Sequence, residues 1–257
     1  MDLPSKLIHK PGDFPEVIYW AWNNELSKDI GLDLSPYLGK TMEARLYKTV
    51  EMLPESMGPN RRAGRAVVIR SEGKVVGAWL DLGGHSSFAC SLKGCTLEEV
   101  TGKNFDAWVS FLIDPADPLE QALSRMSPEE IIETYCSAID RKDYATAHAC
   151  ESRQTLVSYL AANMDNKRLY NDGFGEESGA GLGNFLSVKV LRITREESFE
   201  RAEIGYGDRR CYSVALEQQR KVLAGSSGGY FITMGQETPA TGWRIYGIGV
   251  VSLMRQY

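Results

Sequence analysis

The stretch from residue 127 to 164 constrains this chain most, because its spacing reads as three helices in succession. Ser127 sits as an N-cap, Pro128 takes the first helical position, and Glu130 stands where it can bond back to the cap, a capping box. Ile131, Ile132, Tyr135, Ala138 and Ile139 then recur as one apolar stripe. Asp143 caps a second helix with Tyr144, Ala147 and His148 on its inner face, and Leu156, Val157, Leu160, Ala161 and Met164 mark a third. Beyond a glycine-rich segment at 172–183, strand patterns at 185–193, 200–206, 211–218, 230–235 and 243–251 are separated by turn-rich segments. Helices first and an antiparallel meander after them predict an α+β domain shaped as a cone. The mouth of such a cone serves as an active site, a ligand pocket or a packed core.

A length of 257 residues points to two domains. The boundary falls at the two Asp-Pro steps of 114–118, which hold the residues before each proline extended. Asp117, Pro118 and Glu120 then read as the cap and first turn of a short helix. Residues 1–116 form one predicted domain and 117–257 the other. In the first, 23–30 reads as a short polar helix ended by Gly31, and 42–52 alternates as a half-buried strand. The runs 65–70 and 74–82 flank a Ser71-Glu72-Gly73 turn as a hairpin. A further strand is expected at 87–91, and a capped helix begins at Thr96 and runs toward Trp108. Trp20, Trp22, Trp79 and Trp108 all fall here, as core and interface residues or as the lining of a groove.

Net charge is −5 with acids and bases interspersed, so no basic footprint for nucleic acid exists; Arg61, Arg62 and Arg65 are too few. No apolar run has the length of a membrane span. The N-terminal residues lack signal-peptide character, which suits either a cytosolic chain or one whose leader lies outside the sequence given. Of five cysteines, Cys90 and Cys95 have no second pair or histidine cluster to make a zinc site. Cys136 and Cys150 lie on successive helices, either as a disulfide or as buried free thiols. No cofactor is expected.

Individual motifs carry little chemistry alone. His148 has Asp165 and Tyr170 as candidate acid–base partners, against the plainer reading of a hydrogen-bonded core histidine. His85, Ser86 and Ser87 with Cys90 lack a nucleophile elbow and an orienting acid, so they read as a tight loop. Gly179, Gly181 and Gly183 precede a strand instead of opening a helix, which is the wrong setting for a phosphate loop.

Residues 131–147, from Ile131 through Tyr135 and Asp143 to Ala147, resemble the opening of domains in the NTF2-like (nuclear transport factor 2-like, cystatin-like) superfamily, and 242–249 resemble its last strand. The whole chain also resembles uncharacterised two-domain proteins of Gram-positive bacteria, often exported or lipid-anchored, with a similar segment at 22–31. The resemblance implies a small antiparallel α+β domain followed by an NTF2-like cone. Tyr135 falls where the superfamily's ketosteroid isomerases hold an oxyanion-binding tyrosine. Their carboxylate base would fall near Ser158 and Tyr159, and their second acid near Arg220 or Lys221, so the catalytic set is incomplete. The expected function is therefore non-catalytic binding of a small molecule or protein, outside the cytoplasm, at the cone mouth or an interdomain groove. Tyr135, His148, Tyr159, Trp243 and Tyr246 are the candidate lining, and a homodimer through the C-terminal sheet is a possible assembly. A lyase, isomerase or hydrolase using the same cavity is the alternative.

Overall fold

The computed structural model describes residues 2–11, 16–54, 63–81, 89–157, 182–197, 209–221 and 226–250. The chain divides into two compact units, one built mainly from residues up to Ile113 and the other mainly from Asp114 onward. Both combine helices with antiparallel sheet, so the α+β class stands.

The first unit carries helix α1 (Glu16–Lys28) and a three-stranded sheet in the order β1 (Glu43–Met52), β2 (Ala63–Ser71), β3 (Lys74–Asp81). Glu72 and Gly73 both take positive φ, 49° and 81°, which is what a two-residue hairpin turn requires. Helix α1 is longer than polarity alone suggests, because its Trp20 and Trp22 turn inward with Ile18 and Leu26. Tyr19 and Trp20 meet the fully buried Trp79 of β3 edge to face at 6.2 and 6.1 Å. Ser27 pins the same contact, its Oγ accepting from Ala78 N at 3.1 Å. The helix expected from Thr96 is two, α2 (Leu97–Thr101) and α3 (Phe105–Val109). Gly102 ends the first at φ 69° and Asn104 caps the second. Trp108 of α3 lies 6.2 Å from Trp22, so all four tryptophans of this unit are core residues. Of the strand expected at 87–91, Cys90 makes a single bridge to Leu80.

The second unit follows α4 (Pro118–Leu123), capped by Asp117. Helix α5 (Pro128–Asp140) has the full capping box of Ser127 and Glu130, and α6 (Tyr144–Ala149) is capped by Asp143. A third helix starts at residue 153; its continuation past 157, the strand expected at 200–206 and the loop at 83–87 lie outside the described residues. Strands β4 (Phe185–Arg195), β5 (Arg209–Arg220), β6 (Ser226–Thr238) and β7 (Gly242–Val250) form an antiparallel meander. Alternate residues Tyr212, Val214 and Leu216 of β5 face the α5 stripe of Ile131, Ile132, Tyr135 and Ile139, with Ile232, Met234 and Ile245 beside them.

At one end of this core sits a buried ionic quartet: Glu120 of α4, Arg153, Glu237 of β6 and Arg244 of β7 are each 2% exposed or less. Arg153 donates to Glu120, to Glu237 Oε2 at 2.5 Å and, from its backbone N, to Glu237 Oε1 at 2.7 Å. Arg244 donates to Glu120 Oε1 at 2.5 Å and to the carbonyls of Thr241 and Trp243. Two cations and two anions cancel. Burial alone would favour the neutral Glu237 carboxyl, but Arg153 and then Arg244 hold it below the usual range. Gly242, at φ 71°, lets the β6–β7 turn approach α4; a Cβ there would sit 2.6 Å from Ser124 O. Removing one member strands a buried charge. Glu237→Ala is therefore expected to lower unfolding free energy by about 3–5 kcal/mol, measured by urea denaturation. A loss under about 1 kcal/mol would show that the quartet does not hold this end together.

Candidate functional site

Tyr135 and His148 come from helices whose boundaries local caps set, and the polypeptide immediately after α6 brings a third group to them. Cys150 O accepts from Ile245 N at 2.9 Å, and Ser152 N donates to Ile245 O at 2.8 Å. This one-residue parallel bridge locks Glu151 against the innermost part of β7. The backbone of Glu151 cannot shift without breaking those bonds. Glu151 is 5% exposed, with Tyr135 as a hydrogen-bonding neighbour and His148 Nδ1 3.8 Å from its Oε1. Oε2 of Glu151 has no hydrogen-bond partner among the described residues.

Burial governs the charge of both groups. It pushes the Glu151 carboxyl up to about 8, with the Tyr135 hydrogen bond opposing. It also lowers the His148 imidazole to about 4. At neutral pH the site therefore holds a protonated acid beside a neutral base, and the 3.8 Å approach is not an ion pair. Such a cluster presents a carboxylic O–H donor, an imidazole and a phenol in a low-dielectric setting. It can orient a ligand through hydrogen bonds or pass a proton.

Two of the remaining candidates are covered by arginines of β5. Trp243 is a core residue covered by the Arg210 guanidinium, 4.4 Å from its ring centroid. Tyr246 lies under Arg209 at 3.3 Å, and Gly235 provides the room, since a Cβ there would lie 2.9 Å from the tyrosine ring. Tyr159, like Asp165 and Tyr170, lies outside the described residues. Glu151 is absent from the sequence expectations, although its place three residues after His148 was available as a signal; what singles it out is burial, which requires β7. All five cysteines are free, and burial pushes the thiols of Cys136 and Cys150 up to about 12, away from reactivity. Among the described residues no group of three or more His, Cys, Asp and Glu could hold a metal ion, and no helix is long and apolar enough to cross a membrane.

Comparison with known families adds a division of the chain. Residues 1–80 match the family model of a domain of unknown function, DUF4830, and residues 129–249 match that of a second, DUF4829. The chain thus carries two domains of unknown function in tandem. No curated protein and no solved structure matches it. The second match runs from the start of α5 to the end of β7 and so contains Tyr135, His148 and Glu151. Glu120, which neutralises the buried arginines, lies before it.

The shifted groups give a signed pH dependence. Between the ordinary carboxyl value of 4.5 and about 8, the folded chain keeps the Glu151 proton that the unfolded chain has released. Stability from this group is lost as pH rises through that window. His148 acts oppositely: between 6.5 and about 4 the unfolded chain gains a proton that the folded one refuses, so stability is lost as pH falls. The two slopes cancel where the windows overlap. In Glu151→Gln the alkaline loss disappears. Wild-type stability minus that of the variant should fall by on the order of 1 kcal/mol per pH unit across the Glu151 window. Urea titrations at several pH values measure it, and a pH-independent difference would show that Glu151 is ionised like an exposed carboxyl.

Proposed function

We propose that this chain is a non-catalytic, ligand-binding bacterial protein that works outside the cytoplasm, with an NTF2-like cone as its C-terminal domain. The compartment rests on the family resemblance of the whole chain. The order of capped helices followed by a four-stranded meander supports the cone. One observation carries the binding site: a buried, protonated carboxyl at Glu151 with one oxygen unpartnered among the described residues. Leaving a buried polar atom unsatisfied costs about 1–3 kcal/mol, which a ligand atom recovers by completing the hydrogen bond. The ligand class follows from charge. A neutral, compact molecule with a carbonyl or hydroxyl oxygen suits a neutral acid, a phenol and a neutral imidazole, whereas a charged one meets no compensating ion there.

A thermal-shift screen of small apolar and sugar ligands near pH 6.5 is the test. A ligand that raises Tm for the wild type and not for Glu151→Leu or His148→Ala supports the reading. A screen in which no compound stabilises the chain removes it. The second reading is an acid–base enzyme of the lyase, isomerase or hydrolase type, and the pairing of a protonated acid with a neutral base favours it. Turnover of a bound ligand with a rate lost in both Glu151→Gln and His148→Ala would replace binding by catalysis.

A further inference from the structure

Strand β1 lies at the edge of the first unit's sheet, and among the described residues no strand pairs with its outer side. Its register places Ala44 beside Ile69, Leu46 beside Val67 and Met52 beside Ala63, so these side chains share the face that buries Val67 and Ile69. Helix α1 packs on β3, at the opposite edge. The consequence is an aliphatic strip in water: Leu46 is 51% exposed, Val50 99% and Met52 61%. A ten-residue edge that offers both unpaired backbone and aliphatic side chains is a template for another strand. The other unit's β4 is also an edge, and its pairing is irregular at two places, Phe185/Ser187 and Val190/Arg192, against one in β1.

We infer that β1 pairs antiparallel with β1 of a second copy of this chain, joining two three-stranded sheets across a two-fold axis. The charges on the strand select the occupant and the register. A two-fold axis normal to the sheet sets one residue opposite its own copy and pairs the flanking residues symmetrically. An axis at Arg45 opposes two guanidinium groups, and one at Tyr47 opposes Glu43 to Glu51. An axis at Leu46 leaves Val50 and Met52 outside the run from Glu43 to Thr49. An axis at Lys48 sets Arg45 opposite Glu51, Leu46 opposite Val50 and Ala44 opposite Met52, each twice. That register alone covers the whole aliphatic strip and matches opposite charges.

The one unfavourable pair is Lys48 with its copy, at an exposed position where long stems can diverge into water. Arg45 Nε donates to Glu43 at 2.6 Å, and the guanidinium has further N–H groups for Glu51 of the second copy. The irregularity between Lys48 and Met52 sets Thr49, Val50 and Glu51 of β1 opposite Gly64 alone. There Thr49 Oγ1 accepts from Gly64 N at 2.9 Å and donates to Gly64 O at 3.1 Å, and the strand continues to Met52.

Sedimentation velocity of the full chain over a concentration series tests this. The wild type is expected to dimerise. Arg45→Glu and Glu51→Arg, each alone, should weaken dimerisation by about tenfold or more, because two like-charge pairs replace two opposite ones. Both positions are exposed, and circular dichroism checks that each variant is folded. An equimolar mixture of the two single variants should recover the dimer, since each supplies the charge the other lacks. A wild type that stays monomeric, or a dimer that ignores both substitutions or yields to Leu191→Lys in β4 instead, overturns the proposal.

Discussion

The second unit depends on four charges that water does not reach. Glu120, Arg153, Glu237 and Arg244 come from a helix, a helix start and the two strands of a hairpin, and each is buried. None of them is favourable in that setting alone, because an unpaired buried ion costs several kcal/mol, a large share of the net stability of a domain. Together they form a neutral, hydrogen-bonded set whose geometry fixes where α4, the segment after α6 and the β6–β7 turn meet. The same segment then supplies Glu151 two residues before Arg153. The structural quartet and the candidate site therefore share one short piece of backbone, held on one side by guanidinium–carboxylate bonds and on the other by the bridge to Ile245.

That arrangement explains how two buried glutamates of the same unit differ in charge. Glu237 has two guanidinium groups within its bonded network, and they overcome burial. Glu151 has a phenol and an imidazole that is itself neutral, and burial prevails. Environment, not residue type, sets the protonation state. A neutral acid is the chemically useful form in a buried site, since it can donate a hydrogen bond that a carboxylate cannot.

Several features were legible in the sequence. The Ser127–Glu130 and Thr96–Glu99 capping boxes, the Asp117 and Asp143 caps and the Glu72–Gly73 turn all rest on bonds between residues two to four apart. The strands at β4, β5 and β7 showed because one face is apolar. Tyr135 and His148 were visible as members of helix faces. Glu151 was not, because a glutamate after a helix reads as solvated until a strand nearly a hundred residues later closes over it. Helix α1 was read as a polar helix for a related reason: Asn23, Asn24 and Ser27 look exposed, yet they are buried and bonded, Asn24 Oδ1 accepting from Leu34 N at 2.7 Å.

The sequence by itself determined the helix starts, the hairpin turn, the antiparallel order of the second half and the α+β class, since caps, turns and periodicity are properties of a few neighbouring residues. Only the tertiary structure decided which polar side chains are buried, which of them pair, and that Glu151 stands protonated beside His148. The free energy of a charge depends on everything within several ångströms in space, and those neighbours come from parts of the chain that local pattern cannot join.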